Sequence, residues 1–183
     1  MRRLVVALLL LMVASMPTSA PSARQDDERL NSLFTQLKSA PEREARLIEA
    51  AIWTIWFESG DEKIDRLLAH GNEAMTRGRF PEALVQFNAV VELDPKLAEG
   101  WNRRATLLYL MGDFTGSLTD IDRTLVLEPR HFGALSGLGL IRSQLEEYDA
   151  AIQAFERAIA INPHLTGGKD NLRELRRKLG RDI

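Results

Sequence analysis

The chain has 183 residues, 45% of them hydrophobic and 27% charged, which suffices for one modest core or a short repeat array and excludes disorder throughout. Lysine and arginine number 24 against 26 acids, so the broad basic field needed for non-specific nucleic-acid binding is missing. With no cysteine, there can be no disulfide, thiolate metal site, cysteine nucleophile or cysteine-linked lipid anchor.

Residues 1–20 read as a secretory signal peptide. Arg2 and Arg3 precede an apolar run over residues 4–14, and small Thr18 and Ala20 suit cleavage ahead of the first acids, Asp26 and Asp27. The run is about half the ~20 residues a membrane-spanning helix requires. Retention as an uncleaved anchor is the alternative. In a Gram-negative source the signal predicts a periplasmic protein, with no stable membrane insertion after cleavage.

Residues 21–60 predict a divergent pair of helices. Leu30, Leu33, Phe34 and Leu37 mark one apolar face, and Pro41 opens a second helix whose Glu42 and Glu44 suit a helix start. The pair is expected to stack as a leading cap on the helices that begin after residue 60. Its end, AAIWTIWFESG, is apolar on nearly all sides. It is read first as core beneath the preceding helix, with a partner surface or self-association through Trp53 and Trp56 as the alternative.

From residue 61 to 165 the chain repeats itself. RFPEALVQFNAVVELDP, DFTGSLTDIDRTLVLEP and EYDAAIQAFERAIAINP end at Pro95, Pro129 and Pro163, at intervals of 34 residues without a gap. In register, Phe80, Phe114 and Tyr148 align, as do Phe87, Ile121 and Phe155, and Leu93, Leu127 and Ile161. Gly71, Ala105 and Gly139 are all small, as are Ala83, Ser117 and Ala151, so paired helices can cross closely. Apolar residues at three- and four-residue spacing, as in Leu84, Phe87 and Val91, line one face of each helix. Each proline turns the residue before it away from helical geometry and ends one helix before the next.

These units, about 64–97, 98–131 and 132–165, resemble the tetratricopeptide repeat (TPR), a helix-turn-helix of 34 residues with these signature places. The chain as a whole, with WNRRA, LEPRHFGALSGLG and IWTIW, is similar to secreted alphaproteobacterial proteins of that family. Glu146 departs from the pattern where Gly78 and Gly112 hold the turn, and Arg104 and Arg142 stand at ordinarily apolar places. The resemblance implies an all-α, right-handed solenoid. Residues 166–183 would close it with a helix, Leu172, Leu175 and Leu179 inward and Arg173, Arg176 and Arg177 solvated.

The resemblance also implies a concave surface, lined by the first helix of each unit, that takes a peptide or a helix. Carried over residue by residue, it comprises Asn72 and Met75, then Asn102, Arg103, Thr106 and Tyr109, then Ser136 and Leu140, with Glu99 in the second stripe. The lysines of the family's carboxylate-gripping members are missing, Gly133 and Gly137 lying where basic residues would be wanted, so that mode is rejected. Gly133 and Gly137 are read as letting the second and third units nest, or as lowering the groove floor for a ligand backbone.

Chemistry finds little support. His70, His131 and His164 lack metal-ligand spacing, GALSGLG does not form a phosphate-binding loop, and Asp120 and Asp122 lie on different helix faces. No catalytic residue, metal or cofactor is assigned. Arg104 and Arg142 are expected to join an internal ion-pair network with Asp120 or Asp122, and Arg130 and His131 to lie in a solvated turn. The expected function is a non-catalytic protein- or peptide-binding adaptor of the cell envelope. An accessory subunit of an envelope enzyme, or a small-ligand carrier built on the Arg/Asp layer, is the alternative.

Overall fold

The structure, a computed structural model, describes residues 25–180; the signal assigned to residues 1–20 lies outside them. Among the described residues there are nine helices and no strand: α1 Arg29–Ser39, α2 Glu42–Phe57, α3 Glu62–Thr76, α4 Phe80–Leu93, α5 Ala98–Leu110, α6 Phe114–Leu127, α7 Phe132–Gln144, α8 Tyr148–Ile161 and α9 Thr166–Lys178. The period read from sequence is kept to the residue, since α4, α6 and α8 begin at residues 80, 114 and 148. None of these helices is long and apolar enough to cross a membrane.

The same local chemistry sets each corner between units. Asp94, Glu128 and Asn162 end α4, α6 and α8 outside helical geometry, as a following proline demands. Each side chain then turns back to accept the backbone N–H two residues on, from Lys96 (3.1 Å), Arg130 (2.9 Å) and His164 (3.0 Å). The turns inside the units use positive φ at Gly78 (71°), Gly112 (83°) and Glu146 (61°). Glu146 therefore takes glycine's conformation without being glycine.

Packing within a unit explains the small residues. A Cβ on Gly139 would lie 2.8 Å from the Phe155 ring, and one on Gly71 would collide with the Phe87 ring. In the middle unit the partner is the slimmer Ile121, and Ala105 fits. Helices α3, α5 and α7 touch one another in sequence and form the inner layer, with α4, α6 and α8 outside. Leu172, Leu175 and Leu179 of α9 close the last unit against Phe155. Arg173, Arg176 and Arg177 pair at the surface with Asp170, Glu156 and Glu174.

The α1–α2 hairpin departs from expectation. Expected on the first unit, it lies instead across the inter-unit corners. Gln25 bonds Lys96 O (2.6 Å) and the Ala98 N–H (3.3 Å) at the first corner. Arg130 donates to Asn31 (2.8 Å) and lies 4.5 Å over the Phe34 ring at the second. Asn162 donates to Glu49 (3.0 Å) at the third, where Ile161 and Leu165 also pack on the hairpin core. The physical reason is the aromatic stripe of α2, which finds matching apolar surface at the start of α7 and not on the charged start of α3. The connection is fixed by the Ser59 N–H and hydroxyl, both donated to Asp65, and by Gly60 at φ 80°. Leu93, the counterpart of Ile161 in the first unit, is left 49% exposed.

Candidate functional site

Where α5 and α7 run side by side on the inner layer they leave a cavity of 180 Å³. Its floor is apolar, with Ile121 and Ile141 behind Ala105 and Ala134. Tyr109 and Leu140 form the walls, Thr106 and Ser136 the rim. Five of the eight residues carried over from the resemblance thus converge here: Asn102, Thr106, Tyr109, Ser136 and Leu140. Met75 packs into the core of the first unit instead. Asn72 lies on α3, outside this lining, with its side-chain oxygen buried and unpartnered.

Arg103 is turned away from the cavity by a buried polar cluster. Glu99, 1% exposed, accepts from Asn102 Nδ2 (3.0 Å) and His131 Nε2 (2.9 Å) on one oxygen and from Arg103 Nε on the other. Burial pushes this carboxyl up, but Arg103 and His131 together outweigh it and hold Glu99 below the ordinary carboxylate range. The Ala134 N–H points at His131 Nδ1 (3.1 Å), which is therefore the unprotonated nitrogen, and Nε2 carries the proton shared with Glu99. His131 thus caps α7 and bridges to α5 at once.

Two of the three partners of Glu99, His131 and Arg103, grip α2. The His131 ring stacks on Trp56 at 4.1 Å and 10°, and the Arg103 guanidinium lies 4.4 Å over Phe57 and 5.4 Å over Trp53. Trp53 meets Phe132 edge-on at 5.4 Å and fills the space above Gly133, where a Cβ would lie 2.7 Å from its ring. Both tryptophans are therefore engaged within the chain. His131 is fully buried and no solvated turn. In the 34-residue register its counterparts are Leu97 and Leu165, so one polar residue among apolar ones was the available signal.

The two glycines separate. Both border the cavity, but Gly133 also makes room for Trp53, whereas at Gly137 a Cβ would meet only Ile121 Cδ1 at an ordinary 3.5 Å. The Arg104 layer is closed on itself, with both Asp120 oxygens (2.7 and 2.8 Å) and Asn88 (2.9 Å) accepting from the guanidinium, which also lies 5.0 Å over Trp101. Asp122 is exposed and takes no part in that set. Arg142 pairs with Glu147 at the surface. Among the described residues no cluster of three His, Asp or Glu is placed to hold a metal ion.

Two family models described as tetratricopeptide repeat match residues 68–119 and 133–165. A TPR repeat-containing protein of Rhizobium etli is 37% identical over 153 residues, covering 83% of this chain and 75% of that protein. Hsp70-Hsp90 organizing protein 1 of Glycine max is 23% identical over 55% of this chain, which spans only 18% of that protein. Among solved structures, the first TPR of Spaghetti (RPAP3) bound to the HSP90 peptide SRMEEVD superposes with a TM-score of 0.62 at 22% identity, covering 65% of this chain and 94% of that one. The Sgt2 TPR domain of Aspergillus fumigatus also gives 0.62, at 25% identity over 66% and 81%. With its period, its helix pairs and its corner prolines all in place, the chain belongs to the tetratricopeptide repeat family.

Proposed function

We propose that this chain is a non-catalytic adaptor that holds a segment of another protein against the inner face of its repeats, in the bacterial cell envelope. One observation carries the reading: an apolar cavity opens between α5 and α7 on the face formed by the first helices, and five of the residues expected to meet a partner line it. The similar TPR of RPAP3 is bound to a peptide, which supports the same use of this fold here. The rest of the polar machinery serves the fold, because Arg104 and Glu99 have their charges answered within the chain. In this reading Trp53 and Trp56 anchor the hairpin and do not join two copies.

The envelope setting rests on the leader-like residues 1–20. Export should yield a mature chain starting at residue 21, read by mass spectrometry of the cell-envelope fraction. For the adaptor role, wild type and Tyr109→Arg are compared as baits in envelope extract. The wild type should retain a partner that the variant loses at unchanged helicity; equal recovery by both would overturn the inner-face reading.

A further inference from the structure

We propose that the cavity between α5 and α7 is a subsite for one large, uncharged apolar side chain of a peptide, whose flanking backbone N–H groups donate to the hydroxyls of Thr106 and Ser136. This rests on the inner-face reading and adds the chemistry of the occupant.

Size and lining come first. An apolar void of about 150 Å³ accommodates a benzene ring; this one measures 180 Å³. That admits a leucine, isoleucine, methionine or phenylalanine side chain. Charge comes second. Glu99, beside the lining residue Asn102, is buried, its charge answered by Arg103 and its second oxygen hydrogen-bonded by the neutral His131 ring, while Arg103 lies against Phe57. No uncompensated charge of that cluster is left to attract an acidic or basic residue, and a charged side chain in the cavity would lose its hydration without return.

The rim has a defined polarity. The Thr106 hydroxyl donates its proton to Asn102 O (2.9 Å), and the Ser136 hydroxyl to Phe132 O (2.8 Å), each one helical turn back. Each hydroxyl has a single proton, so both present acceptor lone pairs to the cavity mouth. They complement peptide N–H groups, which require acceptors once desolvated, and they disfavour a facing carbonyl.

Gly137 supplies an independent pointer. A glycine inside a helix costs about 1 kcal/mol against alanine, and packing within the chain does not require this one, since its Cβ would meet Ile121 at ordinary contact distance. Gly71, Gly133 and Gly139 each make room for an aromatic ring of this chain. Gly137 makes room only in the cavity, where an incoming backbone can approach the helix.

The test is selection of random dodecapeptides on phage against the immobilised full chain, followed by titration of synthetic winners. Enriched sequences should share Leu, Ile, Met or Phe at one position. Alanine there, or N-methylation of an adjoining backbone amide, should weaken binding at least tenfold. Gly137→Leu, which fills the cavity, should do the same at unchanged helicity, and Gly137→Ala should weaken binding to a lesser degree if the leucine variant fails to fold. Winners that need an acidic residue or a free terminus, or that ignore both Gly137 variants yet are lost with Tyr109→Arg, would overturn the subsite and leave the inner-face reading standing. Winners insensitive to all three variants, or no enrichment, would overturn both.

Discussion

The imidazole of His131 lies flat on the indole of Trp56, 4.1 Å between ring centres, and through this stack the corner between the second and third units holds the N-terminal hairpin. The same imidazole carries the N–H that Glu99 accepts and the lone pair that caps α7. One side chain therefore couples three helices. Replacing it with the leucine of its counterparts at 97 and 165 keeps the apolar contact but removes a partner from a buried carboxylate. His131→Leu should cost about 2–4 kcal/mol, read as a lower urea midpoint. The double variant His131→Leu with Glu99→Leu should recover part of that loss.

Glu99 sets an acid limit on the fold. Its carboxyl titrates below its ordinary 4.5 in the folded chain, so on acidification the unfolded chain takes up the proton first. The stabilisation is fully present above that ordinary value and is lost as pH falls from it towards the lower folded value. Thermal melts from pH 6 to pH 3 should show a steeper drop in Tm for the wild type than for Glu99→Gln. Parallel curves would assign the acid sensitivity to other carboxylates.

Glu146 occupies the left-handed turn that glycine fills at 78 and 112. The side chain costs roughly 1–2 kcal/mol there, partly offset by the greater freedom glycine would have when unfolded. Glu146→Gly should raise stability by about 0.5–1 kcal/mol in chemical denaturation, while Gly112→Glu should lower it.

The crossing pairs can be exchanged between units. Gly71 faces Phe87, whereas Ala105 shares its layer with Ile121. Gly71→Ala alone overpacks and should cost about 1–3 kcal/mol. Adding Phe87→Ile installs the middle unit's combination and should recover a substantial share of that loss. A strictly additive double-mutant cycle would show that the two positions do not sense each other.

The neighbouring glycines of α7 should respond in opposite ways. Gly137→Ala adds a helix-favouring methyl at ordinary contact distance and should stabilise by about 0.5–1 kcal/mol, whereas Gly133→Ala drives a Cβ to 2.7 Å from Trp53 and should loosen the hairpin. Amide exchange in α1 and α2 should rise in the second variant and stay unchanged in the first.

The amino-acid order alone determined the repeated part of this protein. A 34-residue period, small residues at the crossings and prolines at the corners act through contacts between near neighbours, and such local rules are legible without coordinates. They also marked Arg104 as needing a carboxylate from the adjoining helix, with Asp120 or Asp122 both open, whereas the stripe that partly lines the α5–α7 cavity came from the resemblance to the repeat family and not from these rules. The hairpin was another matter. Its two helices are plain in the pattern of Leu30, Phe34, Ile52 and Trp56, but no period relates them to the units. Where they dock depends on His131, Phe132 and Gly133, about 75 residues further along the chain, offering a surface that fits Trp53 and Trp56. Only the tertiary structure decided that placement, and with it the burial of Glu99 and the turn of Arg103 away from the cavity onto Phe57 and Trp53, because shape and charge complementarity between distant segments has no repeating trace in the sequence.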